Sequence, residues 1–205
     1  TGNTLGMMVQ IDYGNPQWIE RSMKTAKLMR DYWTAPNNNG HRHFRANYFG
    51  ATQVGSGEQM NDSWINYRAI RPAAAVRWYN QNPAVSRLYV ELADAWGAAA
   101  MATERGKPKG VIPAEISFPD GIIGGTNSPN WYTARDGPQT GNEDWVNGRE
   151  AYKGYVYDLF FNAHGQTGDP KYFEPMRLEY ELAARYNNVS ALRTGARLQS
   201  TPVDE

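Results

Sequence analysis

Residues 37–48 hold the densest set of groups able to do acid–base chemistry: Asn37-Asn38-Asn39-Gly40-His41-Arg42-His43-Phe44-Arg45-Ala46-Asn47-Tyr48. Two of the three histidines lie here, and no acidic residue occurs between Asp31 and Glu58. The stretch is locally cationic. If the backbone runs extended after Gly40, then His41, His43 and Arg45 share one face while Arg42 and Phe44 share the other. Two imidazoles beside a guanidinium suit β-elimination at a uronic acid. The C5 proton of such a sugar becomes acidic only when the adjacent carboxylate is neutralised or hydrogen-bonded, which Arg and Asn can do, and a His or Tyr then removes it. The competing reading is structural: His-x-His ties the loop to neighbouring carbonyls, and the arginines pair with surface acids. No metal site is expected on His-x-His. A third ligand is not visible nearby, cysteine is absent, and His164 falls at the turn end of its own helix.

A second cluster comprises Glu115, Asp120, Trp131, Tyr132, Arg135, Asp136, Glu143, Asp144 and Trp145. Flat aromatics among carboxylates are what a sugar subsite requires, since C–H faces stack on rings while hydroxyls bond to acids. On this basis Trp131, Tyr132 and Trp145 are candidate substrate-binding residues. Asp120 paired with Asp136 or Glu143 would alternatively supply the acid and base of glycoside hydrolysis. The spacing of Asp136, Asn142 and Asp144 matches no EF-hand loop. Gly121-Ile122-Ile123-Gly124-Gly125 lacks the Lys-Ser/Thr of a phosphate-binding loop and the setting of a dinucleotide fold, so no cofactor is expected.

Three recurring phrases point to the elements that position these clusters: Gly14-Asn15-Pro16-Gln17-Trp18, Gln81-Asn82-Pro83-Ala84-Val85 and Gly168-Asp169-Pro170-Lys171-Tyr172. In each, Asn or Asp is an N-cap and Pro is preset for the first helical position. Apolar residues follow at 3-and-4 spacing: Ile19, Met23, Ala26, Met29 and Trp33; Val85, Leu88, Leu92, Ala95 and Ala99; Phe173, Met176, Tyr180 and Ala183. Each cap is also preceded by a helical pattern, over Leu5–Tyr13, over Asn61–Tyr79 with a kink at Pro72, and over Gly148–His164. The expected unit is helix, tight turn, helix. Residues 34–60 and 106–146 are left as long loops of the kind that is usually functional, and they must lie at the end opposite the tight turns.

The whole chain has 205 residues, with Lys plus Arg and Asp plus Glu both at 21. A formal charge of zero gives no overall field to draw in nucleic acid. Mean hydropathy is -0.70, and no apolar run is long enough to span a membrane. A start at Thr1 with neither Met nor a signal region suits a processed export product or a piece of a longer chain.

Helical hairpins with elaborate loops on one rim resemble the (α/α) toroids of carbohydrate-active enzymes, including many polysaccharide lyases and some glycoside hydrolases. Thr167-Gly168-Asp169-Pro170-Lys171-Tyr172 is similar to the inter-helix turns of such toroids. Leu92-Ala93-Asp94-Ala95-Trp96, leading to Gly106-Lys107-Pro108-Lys109-Gly110-Val111-Ile112-Pro113, is similar to their helix-to-loop exits. The resemblance implies an all-α fold over residues 1–205, with antiparallel hairpins at 4–33, 61–105 and 147–187. These are fewer hairpins than a closed toroid has, so another chain or a further region would complete the ring. By the same resemblance, Asn39 or Asn47 and Arg42 or Arg45 would hold a substrate carboxylate, with His41, His43 and Tyr48 in proton transfer. The implied function is an exported enzyme, secreted or periplasmic, that cleaves a uronate-containing polysaccharide or oligosaccharide by β-elimination. A glycoside hydrolase and a non-catalytic glycan-binding or assembly module are the alternatives.

Overall fold

A computed structural model describes residues 4–125, 130–132 and 150–186. In it α1 (Leu5–Ile11) turns into α2 (Pro16–Leu28), and α3 (Arg71–Asn80) turns into α4 (Pro83–Met101). The last unit runs from α5 (Glu150–Thr167) through a 3-10 turn at Pro170–Tyr172 into α6 (Glu174–Tyr186). The three Asx-Pro phrases act as their chemistry requires. Asn15 Oδ1 accepts the Gln17 N–H at 2.9 Å, Asp169 Oδ1 accepts that of Lys171 at 2.9 Å, and Asn82 Oδ1 accepts those of Ala84 and Val85 at 3.0 and 3.3 Å. Each cap satisfies N–H groups that the first helical turn leaves without a carbonyl partner.

The helix α4 is the axis of the fold. It buries Val85, Leu88, Leu92, Ala95 and Ala99, as its periodicity predicts, and also Tyr89, Ala93, Trp96 and Ala100. A helix apolar on more than one face must be covered on more than one side. Accordingly α3, α5, α6 and the strand at Arg42–Phe44 all pack against it. Where the chain leaves α4, Gly110 adopts φ 92°, and a Cβ there would stand 2.4 Å from Leu178 Cβ. That close approach seats α6 against the exit.

The three tight turns gather at one end. The Tyr13 ring lies 6.1 Å from Trp78 and 5.3 Å from Tyr79, and Arg77 Nη1 donates to Asn162 Oδ1 at 2.9 Å. His164 belongs to this end, with Nδ1 3.0 Å from the Asp169 carbonyl and its ring against Phe173. Segments of the two long loops meet elsewhere, where the Asn38 N–H donates to the Pro119 carbonyl at 2.8 Å.

The all-α, toroid-like expectation is corrected by what those loops contain. The strand β1 (Thr34–Pro36) pairs antiparallel with β2 (Arg42–Phe44), and β3 (Asn61–Ser63) pairs antiparallel with β4 (Glu115–Ser117). The protein is mixed α/β, about 61% helical with two small sheets. Three-residue strands are too short for a period of two to register. Those of β3 and β4 are also buried at every position, so no polar–apolar alternation marks them. The helix expected from Asn61 begins instead as β3, continues as a 3-10 stretch over Trp64–Ile70, and becomes α-helical only at Arg71.

The caps make a quantitative prediction. Asn82 accepts two backbone N–H groups and leads into the buried central helix, whereas Asn15 accepts one on an exposed turn. Replacing Asn82 by Ala is expected to lower unfolding free energy by about 1–2 kcal/mol, and replacing Asn15 by less, as read from urea unfolding midpoints.

Candidate functional site at the junction of the loops

The junction is built on a buried carboxyl. Asp62, in β3, has no exposed surface and accepts four hydrogen bonds. Phe44 N donates to Oδ2 at 3.2 Å, Tyr67 Oη at 2.9 Å and Trp96 Nε1 at 3.1 Å, while Asn66 Nδ2 donates to Oδ1 at 3.0 Å. Burial pushes this carboxyl up to about 7, against the pull of its donors toward the ionised form. His43 stands beside it, Nδ1 3.8 Å from Oδ2, and is also fully buried. The Phe44 carbonyl, 2.9 Å from His43 Nδ1, can only accept, so Nδ1 carries the hydrogen. Nε2 is then free to accept from Asn37 Nδ2 at 3.2 Å. Burial lowers His43 to about 4, which fits a neutral ring with both nitrogens engaged.

Asn37 organises the tip of the first loop. Its Oδ1 accepts the N–H groups of Asn39 and His41 at 2.9 and 3.0 Å, and its backbone N–H donates to the His41 carbonyl. The tip is held against the second loop at Gly121, where φ is 75° and a Cβ would lie 2.7 Å from Asn37 Nδ2 and 2.9 Å from Asn39 Nδ2. Only glycine accommodates both conditions there. Within this frame Asn39 is exposed and His41 is half-buried. Arg45 lies over the Phe118 ring at 5.7 Å and donates through Nη1 to the Tyr32 carbonyl at 3.3 Å. Its Nε is buried and meets no hydrogen-bond partner among the described residues.

The other sequence-predicted residues are distributed differently. The extended segment after Gly40 is present as β2, yet His41 and His43 do not offer imidazoles to one open face, because His43 is enclosed. That position removes His43 from proton transfer with any substrate approaching from solvent. Arg42 ties β2 in place: Nη1 donates to the Arg30 and Thr34 carbonyls, and Nε pairs with Glu91 of α4 at 2.8 Å. Asn47 is buried and donates to Glu115 Oε1 at 3.2 Å, so it faces the interior and not a ligand. Tyr48 is 47% exposed, and its hydroxyl accepts from Gln53 Nε2 at 3.3 Å. Trp131 is core instead of a sugar platform: it is 1% exposed and packs edge-on against the half-buried Tyr132. Trp145 lies outside the described residues, as do Arg135, Asp136, Asn142, Glu143 and Asp144. Asp120 accepts from the Ser117 hydroxyl and, at 3.4 Å, from the Ile122 N–H.

Sequence reasoning missed Asp62, Asn66, Tyr67 and Trp96, because it read Asn61 onward as helix and placed Trp96 only in the run leading out of its helix. No spacing links Asp62 to Trp96; only the tertiary fold brings them within hydrogen-bond distance. Comparison with models of protein families, with curated proteins and with solved structures finds no match for the chain. Its chemistry is therefore read from the geometry alone. Among the described residues, the half-buried His41 imidazole, the exposed Asn38 and Asn39 and the half-buried Arg45 lie at the junction, an inventory for binding a carboxylate and moving a proton beside it.

The buried pair has opposite pH signatures. Folded Asp62 keeps its proton up to about pH 7, whereas the unfolded carboxyl loses it near 3.8, so its contribution to stability falls as pH rises between these values. Folded His43 sheds its proton near 4 while the unfolded ring holds one up to 6.5, so its contribution falls as pH drops through that window. From about pH 4 to 6.5 the two slopes cancel. Asp62→Asn should uncover the histidine: relative to wild type, urea-derived stability should gain a positive slope of about 1.4 kcal/mol per pH unit. An unchanged slope difference across that window would count against these protonation states.

Proposed function

We propose that the chain acts on an acidic glycan as a β-eliminating lyase, with the loop junction as its active site and His41 as the proton-transfer group. The observation that carries this reading is the tip held by Asn37: it leaves His41 and Asn39 reaching solvent at the junction where the half-buried Arg45 lies over Phe118. Arg45 and Asn39 would hold the uronate carboxylate. The charge that develops on that carboxylate as C5 loses its proton strengthens both contacts, which lowers the barrier. His41 takes the C5 proton, the C–H electron pair becomes the C4–C5 double bond, and the C4–O bond breaks. The leaving oxygen is protonated from solvent. The substrate class, an anionic polysaccharide or oligosaccharide, matches a stretch with no acidic residue from Tyr32 to Gly57. No helix among the described residues is long and apolar enough to cross a membrane.

A glycan-binding module without catalysis is the second reading. It is favoured by the loss of His43, Arg42 and Asn47 to internal contacts, which leaves few groups for chemistry. The two separate in one experiment, in which purified protein is mixed with polyuronates and the ultraviolet absorbance of an unsaturated uronide is followed. His41→Ala should lower the rate by about 10²–10⁴-fold with the fold intact, since the residue is half-exposed on a loop. Arg45→Ala should weaken both binding and rate. Binding with no absorbance change would replace the lyase by the module, and new reducing ends without absorbance would replace it by a hydrolase.

A further inference from the structure

The tight-turn end, opposite the long loops, carries a cavity. Its volume is about 870 Å³, and it lies between α1, α3, the start of α4 and the end of α5. Arg71, Arg77, Trp78, Gln81, Asn162 and Gln166 supply its chemistry. Among the described residues no Asp or Glu lines it. Neither arginine forms an ion pair among the described residues. Arg71 lies over the Tyr155 ring at 5.3 Å, and Arg77 lies over Tyr89 at 6.0 Å while donating to Asn162. Gln166 Nε2 is buried and has no hydrogen-bond partner among the described residues. Trp78 is 55% exposed, with Tyr13 set edge-on against it, so one wall is an indole face held in place and left open. The shape of the cavity depends on Gly6, where a Cβ would meet the Arg71 carbonyl at 3.0 Å. Its absence lets α1 close against the first turn of α3.

Each group selects for the same kind of ligand. Two guanidiniums without ion-pair partners among the described residues call for oxyanions, and their Cα atoms are a rise of roughly 9 Å apart along α3. Carboxamides that both donate and accept match hydroxyl groups. An exposed indole takes the C–H face of a sugar ring. A cavity of this volume exceeds the need of a single ring and falls within the range for ligands of several. We propose that this cavity is a second, non-catalytic binding site for a short acidic oligosaccharide, with charges on Arg71 and Arg77 and a ring on Trp78. The site is separate from the loop junction and does not depend on the lyase reading.

The test uses a chain carrying both His41→Ala and Arg45→Ala, so that no probe is consumed and the loop junction lacks its cation, and titrates trigalacturonic acid by calorimetry. Saturable binding is expected. Arg71→Gln and Trp78→Ala should each weaken it by at least about tenfold, and the neutral trisaccharide maltotriose should bind at least about tenfold more weakly. Gly165→Phe is the independent check. Gly165 lines the cavity, a Cβ there meets nothing within 4 Å, and glycine is a poor helix former, so the variant fills the site without disturbing the fold. It should abolish binding while the far-ultraviolet circular dichroism stays unchanged. Binding that survives Gly165→Phe in this chain would place the ligand outside the cavity and overturn the second site. Equal binding of maltotriose, or of adenosine 5′-monophosphate, would overturn the acidic-saccharide assignment. Absence of saturable binding would overturn the proposal outright, whatever the outcome of the lyase assay.

Discussion

A carboxyl group removed from water has to be met by donors, and Asp62 collects its donors from across the fold. The Phe44 N–H comes from β2, Asn66 and Tyr67 from the 3-10 stretch before α3, and the Trp96 indole from the middle of α4. A buried polar group without partners costs roughly 1–3 kcal/mol, and a buried charge costs more, so these contacts hold or fail together. Because Asp62 also stands in β3, and β3 pairs with β4, the same group anchors the second loop. The loop junction is thus referred to one interior point.

This arrangement explains why so few of the polar residues near the junction remain available to a ligand. His43 completes the interior by bonding the Phe44 carbonyl and the Asn37 carboxamide, Asn47 bonds Glu115, and Arg42 is held by two carbonyls and Glu91. What remains outside is the tip that Asn37 shapes, together with an arginine lying on Phe118. The tight-turn end is organised the other way round. Its helices are fixed by caps and by apolar packing of α1, α3, α4 and α5, so Arg71 and Trp78 need not support the interior and stay at the wall of an open cavity. The end with dense polar sequence spends it on folding, and the end with sparse polar sequence leaves it free.

The local elements were legible because their causes are local. An Asx side chain followed by Pro caps a helix whatever surrounds it, and a stripe repeated at 3-and-4 spacing can only be buried by a helix. Asn15, Asn82 and Asp169 therefore appear where the sequence puts them, and so does the apolar face of α4.

Pairings across long separations were not legible, because nothing in one segment names its partner in another. Asn61-Asp62-Ser63 reads as the polar start of a helix until Glu115-Ile116-Ser117 is placed beside it, more than fifty residues on in the chain. Trp131 reads as a sugar platform until Ala114 and Gly124 close over it. His43 and His41 are the same residue type two positions apart, and only the depth of β2 against α4 makes one a neutral interior ring and the other a group that solvent reaches. The sequence by itself determined the capped turns and the apolar stripe of the central helix, since backbone hydrogen bonding and side-chain periodicity act within a few residues. Burial, the two small sheets and the cavity between α1, α3 and α5 were decided by the tertiary structure, since desolvation depends on every element that covers a residue and not on its neighbours in the chain.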